Sequence, residues 1–290
     1  MFVTANQFYQ SLFRCKTYKI SLDAGCTCPT RDGTLDTRGC IFCSGAGSGD
    51  FAVQDIERAK RIVAGKINNT APPKYIAYFQ SFTNTYGDLN KLKFLWEQAL
   101  SAPDVAGLAL GTRPDCLSKE CVDYLGNLSE KTFVQVELGF QTADEDTAKY
   151  IRRGFDNSVY MDAVERLHRA NPRIHVVAHV IFGLPGETPG QMMNTVRTVI
   201  DSGADGIKIT CLYVLKDTDL ELEYRKGTFS VLEEDEYYRL LECALKLIPP
   251  KMVIHRLTGD PPKRLLVAPL WTMDKKRSLN RIKNMLSKTI

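Results

Sequence analysis

Cys26, Cys28, Cys40 and Cys43 stand in a stretch from Asp23 to Asp50 that also holds six glycines and little that could build a core. Cys40-Ile-Phe-Cys43 is a C-x-x-C with an aromatic directly before its second thiol. A loop of this composition is ordered by what it binds. Closely spaced thiolates choose between zinc, an iron–sulfur cluster and a redox disulfide. Zinc usually takes four ligands, commonly as two pairs. Cys26 and Cys28 are a poor pair to set against Cys40 and Cys43, because only Thr27 separates them, and no His follows nearby. A thioredoxin-like pair would open a helix after a strand, whereas this one lies inside a Gly-rich loop. A cluster held by three cysteines would leave one iron open to a further ligand. The spacing leaves cluster, zinc and structural thiols all in play, with the cluster foremost.

The elements that must position these thiols alternate. Strands are expected at 17–22, 75–80, 105–110, 133–138, 174–182 and 206–212, from short apolar or alternating runs. Helices are expected over 55–66, from Asp88 to about 100, from Ser118 to 128, over 145–151 and 158–169, and from Thr188 to about 202. Alternation of this kind means a parallel sheet with right-handed crossovers. Six units are too few for a closed eight-stranded barrel, so the expected fold is α/β, a partial (βα)6 TIM-type barrel over residues 1–212. Residues 213–290 are expected to form a C-terminal extension covering one end or edge of the sheet. It would hold helices at 217–226, 233–247 and 274–288 and one more strand at 252–257.

In such barrels function collects at the carboxyl ends of the strands. The polar and glycine-rich residues fall there in five successive places: the cysteine loop, 80–85, 111–115, 137–142 and 183–187. Together they imply a binding mouth. Arg31, Asp32, Arg113 and Asp115 would either line it or pin its loops.

Several motifs in order carry a family resemblance over about 16–260. C-P-T-R-D-G from Cys28, then G-C-I-F-C-S and G-S-G-D-F, resemble the radical S-adenosylmethionine (SAM) superfamily, YtqA/YhcC type, related to the elongator radical SAM subunit. This subgroup widens the first gap of the usual C-x3-C-x2-C. The resemblance implies that Cys28, Cys40 and Cys43 hold a [4Fe–4S] cluster, and it leaves Cys26 outside as a neighbour. It places Gln80, Ser81 and Thr83, in KYIAYFQSFTNT, against the methionyl amino group of SAM. It places Glu137 and Gln141, in VELGFQT, on the SAM ribose, and Arg153 on the SAM carboxylate, where a guanidinium can donate a bidentate pair. The elongator subunit has Glu where this chain has Gly111, so one ribose contact must come from elsewhere. GLPGE at 183–187 matches the family's adenine-side loop.

The activity so implied is reductive cleavage of SAM to methionine and a 5′-deoxyadenosyl radical that takes a hydrogen atom from the substrate. A cytosolic donor such as flavodoxin or ferredoxin would supply the electron. AYFQSFTNT, TRPDC, VELGFQT and HRLTGD match the subgroup linked to wobble-uridine modification of tRNA. The step implied there is 5-carboxymethylaminomethyl to 5-aminomethyl uridine, ahead of a partner methyltransferase. A small metabolite or peptide substrate is the alternative. A zinc-stapled nucleic-acid-binding protein without turnover is the competing class.

Composition fits without deciding. A hydrophobic share of 44% fills a core, and a net charge of +4 tolerates a nucleic-acid partner without demanding one. Nine cysteines, the lack of an apolar run in 1–10 and the lack of any membrane-length apolar stretch lead to an expectation of reduced thiols in the cytoplasm. His168, His175 and His179 are expected to be structural, and His255 either a proton donor or a packed strand-end His. Lys275, Lys276, Arg277, Arg281, Lys283 and Lys288 stand against a single acid, Asp274. They make the last helix either a solvated amphipathic face or a contact for a phosphate backbone.

Overall fold

The computed structural model describes residues 2–47, 49–65 and 71–288; the side chain of Lys288 and the expected helix end at Lys66 lie outside the described residues. In chain order the elements are β1 (Val3–Thr4), α1 (Ala5–Phe13), β2 (Thr17–Leu22), α2 (Ile56–Ala64), β3 (Lys74–Phe79), α3 (Leu89–Ser101) and β4 (Val105–Thr112). Then come α4 (Lys119–Ser129), β5 (Phe133–Gln141), α5 (Glu145–Tyr150), α6 (Asn157–Ala170), β6 (His175–Phe182), α7 (Pro189–Asp201) and β7 (Gly206–Cys211). The chain ends with β8 (Val214–Leu215), α8 (Asp219–Arg225), α9 (Glu234–Leu247), β9 (Val253–Arg256), β10 (Leu266–Ala268) and α10 (Lys275–Lys288).

Among the described residues the main sheet has eight strands, in the order β1-β9-β7-β6-β5-β4-β3-β2, and each neighbouring pair is parallel. It is an α/β partial barrel. The six expected strands form its run from β2 to β7. Two short strands extend it past β7. One of them, β9, comes from the stretch after residue 212, so that stretch enters the sheet as well as flanking it. The other, β1, leads directly into α1.

The helices start where their capping chemistry puts them. Asp88, Ser118 and Thr188 each sit in an extended conformation and accept backbone N–H groups from the first turn of α3, α4 and α7. Apolar strand residues fill the space between sheet and helices: Ile20, Leu22, Ala77, Phe79, Leu108, Leu110, Val134, Val136, Leu138, Val176, Ala178, Ile207 and Ile209 are buried there with Trp96, Leu125, Tyr160 and Leu167 from the helices. Burying a side chain of this size contributes about 1.5–3 kcal/mol, so this layer holds the strands in register. A second cluster lies on the inner side of the sheet, where Tyr9 of α1 packs with Ile76, Tyr78 and Ala109, flanked by Phe8, Phe13 and Phe133.

Candidate active site

The strand alternation that buries one face against helices turns every second residue to the inside of the curl. Those inward residues are largely polar and line one cavity of about 530 Å³. They are Lys19 and Ser21 of β2, Tyr78 of β3, Glu137 and Gln141 of β5, His179 of β6, Lys208 and Thr210 of β7, and Arg256 of β9. This volume falls within the range of small-molecule sites. The cysteine loop, Gln80, Phe82, Thr83 and Arg113 complete the lining from the carboxyl ends of the strands.

Cys28, Cys40 and Cys43 all line this cavity and are half-buried. The loop that carries them is folded on itself and tied to its surroundings by backbone hydrogen bonds. Cys43 N–H donates to the Cys40 carbonyl and Gly39 N–H to that of Thr30, while Ile41 N–H reaches Ile151, Phe82 N–H reaches Gly47 and Thr83 N–H reaches Thr27. Arg31 donates to the carbonyls of Cys43 and Ser44 at 2.9 and 2.8 Å and lies over the Phe82 ring. Gly47 has φ +56°, and a Cβ there would stand 2.3 Å from the Phe82 ring, so the loop closes on Phe82 only through glycine. Burial first, then the neighbouring Cys43 and Cys28 sulfurs, push the Cys40 thiol up to about 12. Three thiols lining one cavity offer soft sulfur donors to a bound metal centre. Cys26 is placed differently: it packs against the hydrophobic core, and burial raises its thiol to about 11. Asp32 is solvent-facing and accepts the Thr34 N–H, so it shapes the loop.

The residues expected around SAM separate into two groups. Gln80, Thr83 and Gln141 line the cavity. Gln141 sits at φ +63°, and its side-chain amide folds back over its own strand, within 3.1 Å of the carbonyls of Gly139 and Phe140. Ser81 is buried behind the lining, with Gly49 packed directly on it, so it supports the segment from the rear. Arg153 and Glu137 have partners other than those expected. The Arg153 guanidinium is 1% exposed and is used on protein acceptors: the carbonyls of Phe155, Phe140 and Thr142, Asn157 Oδ1 and Glu145 Oε2. It ties the end of β5 to the start of α6, and the bidentate pair expected for a ligand carboxylate is spent on that task. Arg113 is similarly held, in a bidentate pair with Asp115 at 2.9 and 2.7 Å.

Glu137 is the centre of a buried ion cluster. Its Oε1 accepts from Lys19 Nζ and from Gln135 Nε2. Its Oε2 accepts from Lys208 Nζ, from the Tyr78 hydroxyl at 2.6 Å and from His179 Nε2 at 2.8 Å. Five protein donors therefore occupy the carboxylate that the sequence assigned to ribose hydroxyls. Burial alone would raise the Glu137 carboxyl, but Lys19, Lys208 and the His179 hydrogen bond outweigh it and hold it well below the usual range. Burial also opposes the Lys19 charge, and Glu137 outweighs it, keeping that ammonium protonated. Burial, then the Lys208 charge, pushes His179 down to about 4, so it is neutral and donates one N–H. Lys19, Lys208, Tyr78 and Arg256 were missed in the sequence. The signal was there: in T-Y-K-I-S-L a polar residue follows every core residue, which is the pattern of a strand with a wet inner face.

Other expected residues lie apart from the cavity. His255 and His175 face each other at 2.8 Å, and Phe8 stacks on His175 at 4.5 Å between centroids. Burial pushes the His255 ring well down, so it is a packed strand residue. His168 pairs with Asp205 at 2.9 Å. In the GLPGE turn, Glu187 accepts the Thr142 hydroxyl, and burial raises it to about 7. The basic face of α10 is neutralised in part, at three of its cations. Lys275 pairs with Asp260, Arg277 with Glu234, and Arg281 with Glu234 and Asp235. Among the described residues no helix is long and apolar enough to cross a membrane, and no group of three or more His, Cys, Asp or Glu side chains is gathered round one metal ion.

Two family patterns match the chain: the radical SAM superfamily over residues 37–199 and the radical SAM C-terminal domain over residues 204–288. The chain is 41% identical over 287 residues to YtqA of Bacillus subtilis, covering 98% of this chain and 88% of that protein. It is more distantly similar, at 28% identity, to a tRNA uridine(34) acetyltransferase of Dehalococcoides mccartyi, over 63% of this chain and 39% of that protein. Among solved structures, Elp3 of the archaeon Methanocaldococcus infernus superposes with a TM-score of 0.70 at 17% identity, over 94% of this chain and 63% of that one. That likeness shares the fold, and the family pattern and YtqA carry the assignment. The chain belongs to the radical SAM superfamily of enzymes, whose chemistry implies a [4Fe–4S] cluster and SAM.

Proposed function

We propose that this chain cleaves SAM reductively at a [4Fe–4S] cluster and acts on a modified wobble uridine of tRNA. The observation that carries the first half is the placement of Cys28, Cys40 and Cys43 round one cavity at the carboxyl ends of a radical SAM barrel. The donor set fits the group: soft thiolates suit iron–sulfur binding, and three facing one space leave one iron open. When bound, the cluster and SAM supply a 5′-deoxyadenosyl radical able to take a hydrogen atom.

The chain's own residues bind, orient and exclude water. Arg31 fixes the carbonyl side of the Cys43 turn through two hydrogen bonds. Gln80, Thr83 and Gln141 line the mouth where SAM would lie. Arg153 holds that mouth rigid from behind. Asp50 presents a buried carboxylate oxygen without a protein donor, which a ligand N–H or O–H would satisfy. Tyr78, Glu137 and the two lysines keep the interior polar but ordered.

The second half rests on motifs shared with the wobble-uridine subgroup and on the similarity to a relative named for tRNA uridine 34. The reading is removal of the two-carbon arm of 5-carboxymethylaminomethyl uridine: its α-carbon would give up a hydrogen atom, then a proton and one electron to the iron–sulfur centre, and water would cleave the resulting C=N bond to leave 5-aminomethyl uridine and glyoxylate. Flavodoxin or ferredoxin would donate the electron, and a methyltransferase would take the product onward. The base would be unstacked into the cavity. With three of the α10 cations paired, the RNA contact is assigned to the loop 259–265, which borders the cavity. Gly259, Asp260, Pro261 and Pro262 line the cavity, and the next two residues, Lys263 and Arg264, are exposed and carry no ion pair among the described residues. Replacing both with Glu is expected to weaken tRNA binding at least about tenfold and to flatten its salt dependence, with SAM binding unchanged. Equal tRNA affinity in a filter-binding salt series would move the contact elsewhere. The reading itself is tested by nucleoside analysis of bulk tRNA from a deletion strain. Accumulated 5-carboxymethylaminomethyl-2-thiouridine with its aminomethyl products missing supports it, and an unchanged wobble-uridine profile ends it.

A further inference from the structure

The cavity carries more positive charge than its carboxylates can balance. Its lining includes the carboxylates Asp50, Glu137 and Asp260. Asp260 is paired with Lys275, and Asp50 accepts the Ser44 hydroxyl at 3.1 Å on the cysteine loop. In the interior, Glu137 alone faces two lysines, Lys19 and Lys208. Arg256, at the exposed end of β9 where it borders the cavity, adds a third cation. It is the register partner of Lys208 on the neighbouring strand, it lines the cavity, and among the described residues no carboxylate pairs with it. Arg31, Arg113 and Arg153, the other lining guanidiniums, already have their acceptors.

We propose that Arg256, with Lys208 beside it, forms an anion subsite that takes a carboxylate carried by the substrate. A guanidinium open to the cavity on one side of a strand pair, with an ammonium at the matching register, suits the two oxygens of such a group. Burial, with the Lys19 and Arg256 charges, makes the Lys208 ammonium costly to hold, Glu137 alone working against them, and an arriving anion relieves that crowding. On the wobble-uridine reading, on which the naming of this ligand rests, the carboxylate is that of the carboxymethylamino arm. The subsite would then hold the arm by its far end and leave the adjoining carbon in the cavity. It would also reject the aminomethyl product, which lacks the anion.

The test is equilibrium binding to the reconstituted, SAM-loaded protein and its Arg256→Met and Arg256→Lys variants. The probes are 5-carboxymethylaminomethyluridine and 5-aminomethyluridine, each as nucleoside and as 5′-monophosphate, with N-benzylglycine and benzylamine as a pair lacking the base. The wild type is expected to prefer the carboxylated nucleoside by about tenfold or more. Arg256→Met should lose that preference, Arg256→Lys should keep part of it, and SAM affinity should stay unchanged in both. Equal binding of the carboxylated partners and those lacking the carboxylate overturns the subsite and leaves the tRNA reading standing. A preference seen with N-benzylglycine but no gain from the uridine upholds the subsite and counts against the tRNA reading. A preference that follows the 5′-phosphate assigns the charge to backbone phosphate and overturns the proposal. Loss of SAM binding in Arg256→Met does the same, by assigning the charge to the cofactor.

Discussion

Cys43→Ala is expected to reduce the iron of the reconstituted protein from about four atoms per chain to near zero, with the barrel still folded. Cys28→Ala and Cys40→Ala should behave alike. Each of the three thiols faces the cavity, and no packed side chain can replace a missing thiolate. Cys26→Ala should leave iron content nearly unchanged, because that thiol packs on the core beside the cluster loop and away from the lining. Iron and sulfide analysis after anaerobic reconstitution, with circular dichroism as the control for folding, separates the cases. If Cys26→Ala loses the iron while Cys28→Ala keeps it, the ligand assignment is wrong.

Glu137→Ala has the largest expected effect on stability. The carboxylate has no exposed surface, and the side chains of Lys19 and Lys208 that depend on it are only 19% and 10% exposed. Removing one partner of a buried ionic cluster leaves the others uncompensated and costs on the order of 3–5 kcal/mol. That is a large share of the roughly 5–15 kcal/mol that holds a domain folded. Glu137→Gln should recover the shape but only part of the loss, since an amide cannot balance two ammonium groups. The sign of the pH dependence follows from the lowered folded pKa of Glu137. Its contribution is fully present above the unfolded carboxyl pKa of about 4.3, and it fades as pH falls through the lower folded value. Urea unfolding of wild type and Glu137→Ala should therefore differ most near neutral pH and converge in acid. A difference under about 1 kcal/mol at neutral pH would show that solvent in the cavity screens the cluster.

The elements were legible because they have period and punctuation. Thr17–Leu22 alternates and is a strand over those same residues, and Asp88, Ser118 and Thr188 cap the helices they were expected to cap. The pieces that were missed have neither signal: β1 and β8 are two residues long and β10 three. The nine residues of α1 follow a strand of only two residues that gives no signal of its own, so the barrel rhythm did not announce them. The three cysteines that share the cavity could be grouped in the sequence because their spacing is local. Glu137 and Arg153 could not be read to their partners. Lys19 and Lys208 lie 118 and 71 residues from Glu137 in sequence, and only the curl of the sheet brings all three together. The tail misled for a related reason. Its cations are near one another in sequence, while the acids that pair with Lys275, Arg277 and Arg281 sit on α9 and in the loop after β9.

The central claim is that three thiols of this barrel hold a cluster that opens SAM. The most direct measurement combines iron and sulfide content with SAM cleavage in the anaerobically reconstituted wild-type chain. About four irons and four sulfides per chain, with 5′-deoxyadenosine formed only when dithionite is present, is the predicted result. Bound zinc in place of iron, with SAM returned intact under dithionite, would contradict it.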